Sequence, residues 1–151
     1  IYRIPLVIAH PECQNPGSIN TDFVYLHECL PSFLEAASLE LPNNLDGQSF
    51  YPAMCGDHTP NNREEVFCVF DRHFTIANQR MVRTRTHQLT YNAHETGELY
   101  DLQKDPYQLN NRYGDTQYEA VRKDLMNRLR NYMETLGDPQ QGWLRRIFDV
   151  Y

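Results

Sequence analysis

Asp71-Arg72-His73 is the polar cluster in this chain best suited to chemistry. It follows the apolar run Val66-Phe67-Cys68-Val69-Phe70. An arginine beside a histidine can hold an anionic group, the guanidinium by two parallel hydrogen bonds and the imidazole by one. His58, within Asp57-His58-Thr59-Pro60-Asn61-Asn62, is a second candidate of the same kind. The same residues also suit a hairpin turn with solvated charges. The remaining histidines (His10, His27, His87, His94) complete no His-x-x-x-His or His-Glu-x-x-His pair, so zinc-ligand spacing is missing. There is no glycine-rich phosphate loop and no Gly-x-Ser-x-Gly elbow. Glu64-Glu65 reads as the solvated lead-in to a strand. Arg80, Arg83 and Arg85 read as one sheet face, where pairing with acids on neighbouring strands is the ordinary use.

The elements that must position these groups fall into two stretches. Tyr2 to Ala9 is a continuous apolar run of strand length, which suits a strand buried on both faces, with Pro5 near its beginning. Pro11 to Asn20 is a polar surface loop. Phe23 to Leu39 holds a short helix with Pro31 in its first turn and Phe33, Leu34, Ala37 and Leu39 facing a core. Asp46-Gly47 is a turn, and Ser49 to Met54 is another short helix closed by Gly56. Asp57 to Asn62 then marks the boundary between domains 1–56 and 57–151.

Beyond it, Val66–Phe70, Arg80–Thr86, Gln88–Asn92 and Glu98–Leu102 read as short strands of an antiparallel sheet with one wet face. Glu95-Thr96-Gly97 supplies a hairpin turn. Thr116-Gln117-Tyr118-Glu119 forms a capping box at the start of a helix. Tyr118, Val121, Leu125, Leu129, Met133 and Leu136 lie on one face of that helix, and Gly137 ends it. The apolar tail, Gln140 to Tyr151, must pack back on the body or against a second subunit.

The bulk composition narrows the classes of function. A chain of 151 residues can bury a core, and 40% hydrophobic with 12% aromatic residues excludes a disordered composition. A net charge of −6 without a long basic run argues against nucleic acid as a partner. No apolar run approaches the ~20 residues of a membrane span and no signal peptide is visible, so this stretch reads as soluble, with its compartment open. Cys13, Cys29, Cys55 and Cys68 form no Cys-x-x-Cys pair and read as reduced, mostly buried thiols.

Five segments carry a family resemblance, in order. Arg3-Ile4-Pro5-Leu6-Val7-Ile8 resembles the Arg-Val-Pro-Leu strand of type I sulfatases, members of the alkaline phosphatase superfamily. Glu28-Cys29-Leu30-Pro31-Ser32-Phe33-Leu34-Glu35-Ala36-Ala37 is similar to Asp-Leu-x-Pro-Thr-Leu-Leu-Glu-x-Ala, and Asp46-Gly47-Gln48-Ser49-Phe50 to an Asp-Gly-x-Ser-Leu turn. Arg80-Met81-Val82-Arg83-Thr84 resembles a paired-arginine strand. Glu98-Leu99-Tyr100-Asp101-Leu102-Gln103-Lys104-Asp105-Pro106 resembles the Glu-Leu-Tyr-Asp-Leu-x-x-Asp-Pro strand near the carboxyl end of that family. Gln88 stands where the family commonly has lysine.

The resemblance implies an α/β fold: the last strand and helices of a sulfatase-like domain, then a small four-stranded antiparallel sheet with a carboxyl-terminal helix. It implies that the nucleophile, a formylglycine made within Cys/Ser-x-Pro-x-Arg, and the ligands of a calcium ion lie upstream, in an N-terminal catalytic part of the same protein. No catalytic residue, metal ligand or cofactor is then expected within this segment. Cys29-Leu30-Pro31-Ser32 imitates the nucleophile motif, but Phe33 occupies the arginine position. Loops of the small subdomain in that family overhang the cleft, which makes Arg72, His73 and His58 the expected contacts to a small sulfate-ester substrate. The competing readings are a phosphonate or phosphate ester hydrolase of the same superfamily and a free-standing interaction module without catalysis.

Overall fold

The computed structural model describes residues 3–56, 63–71, 78–93, 95–140 and 142. The chain divides into two compact units, Ile1–Glu64 and Glu65–Tyr151. The candidate boundary loop 57–62 and the tail from residue 143 lie outside the described residues.

In the first unit, the run from Arg3 to Ala9 is not in a ladder, and Val7 is 93% exposed. The strand expected there is corrected for a simple reason. A strand buried on both faces needs neighbours to supply hydrogen bonds, and the described residues of this unit form no other strand. A 3-10 turn, Leu26–Glu28, leads into α1, Cys29–Ala36, with Pro31 in its first turn as expected. α1 ends on Ser38 in the left-handed region (φ 56°), with the amides of Leu39 and Ser38 reaching back to the carbonyls of Leu34 and Glu35, both at 2.9 Å. A second helix, α2, Tyr51–Met54, is opened by Ser49, whose Oγ accepts the Tyr51 amide at 3.1 Å.

The core face expected of α1 is also corrected. Pro31 and Ser32 are buried, whereas Phe33, Ala37 and Leu39 are exposed. The polar side won because it is fully bonded. Ser32 Oγ donates to the Glu28 carbonyl at 2.7 Å and accepts the Phe50 amide at 2.8 Å. The buried Glu28 carboxylate accepts the Tyr25 amide at 2.8 Å and both terminal nitrogens of Arg63, at 2.6 and 3.0 Å. Gly47 is required beside it, since a Cβ there would lie 2.8 Å from the His27 ring and 3.2 Å from Glu28 Cα.

The second unit is an antiparallel meander in the order β1 (Glu65–Asp71), β2 (Asn78–Thr84), β3 (His87–Asn92) and β4 (Glu98–Asp101). The register pairs Phe67 with Val82, Val82 with Leu89, and Leu89 with Leu99. These residues face α3, Glu119–Leu136, which buries Leu125, Met126, Leu129 and Met133 against Val82, Leu89, Tyr91 and Leu99. Each such side chain, fully buried, stabilises by roughly 1.5–3 kcal/mol as an upper bound. Phe67 stacks on Tyr132 with ring centroids 3.9 Å apart.

Three details differ from the sequence reading. The face of the sheet away from α3 is not wet: Met81, Gln88 and Thr90 are buried on it. Arg80 and Arg83 lie three positions apart and so on opposite faces, and Arg85 falls in the β2–β3 turn. The helix start is capped by Asp115, whose carboxylate accepts the Gln117 amide at 3.0 Å, while Glu119 pairs with Lys123 instead of closing a box with Thr116. Gly137 (φ 62°) ends α3 as expected, with the Asp138 amide bonded to the Met133 carbonyl at 2.9 Å.

Candidate functional site

Arg72, His73 and His58 lie outside the described residues. What is described is the base from which the 72–77 segment leaves the sheet. Asp71 and Asn78 are register partners there, at the end of the β1–β2 pair. Arg80, two residues further along β2, is buried with its guanidinium between two carboxylates. Its Nε and Nη2 donate to Asp138 at 2.7 and 3.1 Å, and Nη1 and Nη2 donate to Asp71 at 2.6 and 3.2 Å. Nη1 also donates to the Gln79 carbonyl at 3.0 Å. A guanidinium has five N–H donors, and all five are used. Arg80 therefore cannot take a substrate anion; it ties the β1–β2 hairpin to the end of α3. Burial pushes the Asp138 carboxyl up, but the Arg80 guanidinium and the Gln140 amide outweigh it and hold it below the ordinary range.

At the other margin of the sheet, the Glu98–Pro106 segment explains its own sequence. Leu99 is in the core, and Asp101 at the end of β4 turns the chain. Asp101 Oδ1 accepts the amides of Gln103 and Lys104, both at 3.1 Å, and Oδ2 accepts the Tyr118 hydroxyl at 3.0 Å and meets Lys104 Nζ at 3.1 Å. Burial pushes this carboxyl up, yet the amide and ammonium of Lys104 with the Tyr118 hydroxyl bring it down to about 2. Asp105 repeats the device one turn later, its carboxylate accepting the Asn110 amide at 2.7 Å. Asn111 and Arg112 then close the outer edge of β4: Asn111 Oδ1 accepts the Leu99 amide at 3.0 Å, and the Arg112 amide donates to the Leu99 carbonyl at 2.7 Å. Gly97 is fixed by the Tyr113 ring, which would lie 2.4 Å from a Cβ.

Gln88 uses its amide oxygen for two donors, Arg83 Nη1 at 2.7 Å and Gln108 Nε2 at 2.9 Å. A lysine at 88 has no acceptor and could make neither bond. Cys29 is the first residue of α1 and half-buried, as are the other three free cysteines, so the thiols are less enclosed than expected. Burial pushes the Cys68 thiol up. The Tyr51 hydroxyl donates to the Glu12 carboxylate; that bond first, and the Cys55 thiol second, push it above its ordinary range and keep it protonated.

Among the described residues no three of His, Cys, Asp and Glu come together in a way that could hold a metal ion, and no helix is long and apolar enough to cross a membrane. The carboxylates Asp101, Asp138 and Glu28 are all committed to internal donors. Their arrangement braces turns and strand ends. Sequence reasoning missed Asp138, Arg63 and Asp115. The signal for the first was an acid one residue past a helix-ending glycine, at the height of a strand arginine.

The sequence profile of a family described as N-sulphoglucosamine sulphohydrolase, C-terminal, matches residues 1–135. A protein of Haemophilus influenzae, described as uncharacterized, is 34% identical over 128 residues, which are 85% of this chain and 66% of that one. The N-acetylglucosamine-6-O-sulfatase of Bacteroides thetaiotaomicron is 27% identical over 134 residues, 84% of this chain but 24% of the enzyme. Among solved structures, a 2-O GAG sulfatase superposes with a TM-score of 0.66 at 24% identity, over 75% of this chain and 25% of that one. The phosphonate monoester hydrolase of Agrobacterium radiobacter superposes with a TM-score of 0.58 at 27% identity, over 68% of this chain and 23% of that one. The chain belongs to the N-sulphoglucosamine sulphohydrolase C-terminal family and has the α/β architecture of the sulfatase carboxyl-terminal region, spanning about a quarter of the sulfatase it matches.

Proposed function

We propose that this family member is the carboxyl-terminal part of a sulfuric ester hydrolase, in which it supplies scaffold and the rim of the substrate cleft. Bond breaking belongs to the N-terminal catalytic part of the same protein. The observation that carries the reading is the family match along 1–135, joined to a structure whose described ionic groups brace turns and strand ends. Arg72 and His73 are the proposed contacts to the sulfate group. Support comes from their base, since Asp71 and Asn78 on either side are register partners and Arg80 fixes Asp71 to Asp138. His58 is a third proposed contact, on its residue type and loop sequence. The tail 143–151 is proposed to close on the body or on a second copy through its apolar side chains.

The intact enzyme is proposed to use calcium and a formylglycine, which together would polarise and attack the sulfur centre. The described residues do not fit either group. Among them no three of His, Cys, Asp and Glu come together in a way that could hold a metal ion, and Cys29 is followed by Phe33 where the modification motif needs arginine. A small sulfate ester is the proposed substrate class. A phosphonate or phosphate ester is the second reading, and the superposition on a phosphonate monoester hydrolase favours it.

The test is a pair of assays on an aryl sulfate with calcium present. The chain alone should be inactive. Fused in place of the matched quarter of the Bacteroides sulfatase, it should restore hydrolysis, and Arg72→Ala in that fusion should raise KM more than it lowers kcat. A fusion that folds but turns over only a phosphonate ester moves the assignment to the second reading. A folded fusion with neither activity would leave the chain as an interaction module.

A further inference from the structure

Cys13 and Cys55 are far apart in sequence, yet the first unit folds their segments onto one another. The Glu12 carboxylate, beside Cys13, accepts the Tyr51 hydroxyl, and the same hydroxyl is bonded to the Cys55 thiol. On the other side of Cys13, Gln14 lies over Gly56, the residue after Cys55. A Cβ at Gly56 would stand 3.5 Å from Gln14 Cβ and 2.8 Å from its Oε1. Both neighbours of Cys13 thus touch the segment that carries Cys55. Cβ atoms joined by a disulfide stand about 3.5–4.5 Å apart, so the two backbones pass one another at bridging distance. Each thiol also sits on a fixed piece of backbone. The Cys13 amide closes a turn on the His10 carbonyl at 3.0 Å, and the Cys55 amide ends α2 on the Tyr51 carbonyl at 3.1 Å. The His10 ring packs edge-on against Tyr51, centroids 5.5 Å apart, and holds the turn to the helix. Both thiols are half-buried, within reach of a small reagent.

We propose that Cys13 and Cys55 are a redox pair that closes to a disulfide by exchange with a small organic disulfide such as oxidised glutathione. One protein thiolate attacks a sulfur of the reagent and expels one reagent thiolate, leaving a mixed disulfide. The second protein thiolate attacks the protein sulfur of that intermediate and expels the other reagent thiolate. The reagent's S–S bond breaks and one forms between Cys13 and Cys55. Two electrons pass to the reagent, which leaves as two thiols carrying the two protons. The bridge fastens the turn at 10–13 to the end of α2, where Glu12 and Gln14 already hold it. Closing so long a loop constrains the unfolded chain, so the linked form is the more stable one. The sequence pointed to reduced thiols because it holds no Cys-x-x-Cys pair, whereas this pair is made by contacts across the fold. It is independent of the sulfatase reading and survives that reading's failure.

The experiment incubates the 151-residue chain with oxidised glutathione at neutral pH and blocks the remaining thiols with iodoacetamide. Cleavage after glutamate then leaves Cys13, Cys29, Cys55 and Cys68 on separate peptides. Mass spectrometry should find the Cys13 and Cys55 peptides joined with loss of two hydrogens, and Cys29 and Cys68 alkylated. Cys13→Ser and Cys55→Ser should each abolish the link, and Cys29→Ser should keep it. The oxidised wild type should melt about 5–10 °C above the reduced chain, while the oxidant should not shift Cys13→Ser. Four alkylated cysteines, glutathione retained on Cys13 or Cys55 as the end product, a link to Cys29 or Cys68, or a link that lowers the melting temperature would each overturn the pair.

Discussion

Arg80 and Asp138 set the energetic scale at single residues. Both are nearly inaccessible, whereas Asp71, the other partner of Arg80, has a half-exposed side chain (52% against 7% for Asp138). Removing one partner of a buried pair strands a charge and costs about 3–5 kcal/mol, while an exposed pair contributes about 0–1 kcal/mol. Asp138→Ala should therefore lower stability in chemical denaturation far more than Asp71→Ala. Equal losses would contradict the assignment of Arg80 as a hairpin clamp. Asp101 makes a pH prediction. Its folded carboxyl titrates at about 2, below the ~3.9 of an unfolded aspartate. A depressed carboxyl contributes stability that is present in full above the unfolded value and is lost as pH falls through the folded one. Wild type should lose this share between about pH 4 and 2. Asp101→Asn should be less stable at neutral pH and close most of the gap near pH 2, measured by urea unfolding across that range.

At the scale of elements, two helix ends offer opposite tests. Ser38 ends α1 in a left-handed conformation that glycine adopts without strain. Ser38→Gly should therefore stabilise the first unit by about 0.5–1 kcal/mol in thermal unfolding, relief of left-handed strain exceeding the added chain entropy. Asp115 caps the start of the long helix, so Asp115→Ala should cost about 1 kcal/mol, while Thr116→Ala should change little. A larger loss at Thr116 would restore the capping box. The same ends mark how far the sequence could be read. The four strands and α3 were legible because aromatic and β-branched runs alternate and apolar residues recur at helical steps. Met126 was missed on α3 because it widens the apolar face beyond the single row that the spacing picks out. The inverted face of α1 was not legible at all. It depends on Arg63, 35 residues beyond Glu28, and on the Phe50 amide, and no local pattern announces either partner. The capping box failed for a smaller reason: Asp115 and Thr116 are adjacent, and both are good caps.

For the molecule as a whole, the two units divide the work. The sheet unit carries a closed core, and its turns are braced by Asp101, Asp105 and Asn111. The first unit leaves Val7, Leu26, Leu30 and Phe33 exposed around an ion-paired interior. The family match along 1–135 takes in both units and places them in a sulfatase carboxyl-terminal family. The proposed sulfate contacts, Arg72, His73 and His58, were legible only as residue types, because an anion site is made by groups that converge from several segments. The most direct measurement is release of the aryl alcohol from an aryl sulfate, with calcium present, by the 151-residue chain and by the same chain fused to the sulfatase body. The account predicts no turnover from the first and hydrolysis by the second. Sustained turnover by the chain alone would place the nucleophile within these residues and contradict it.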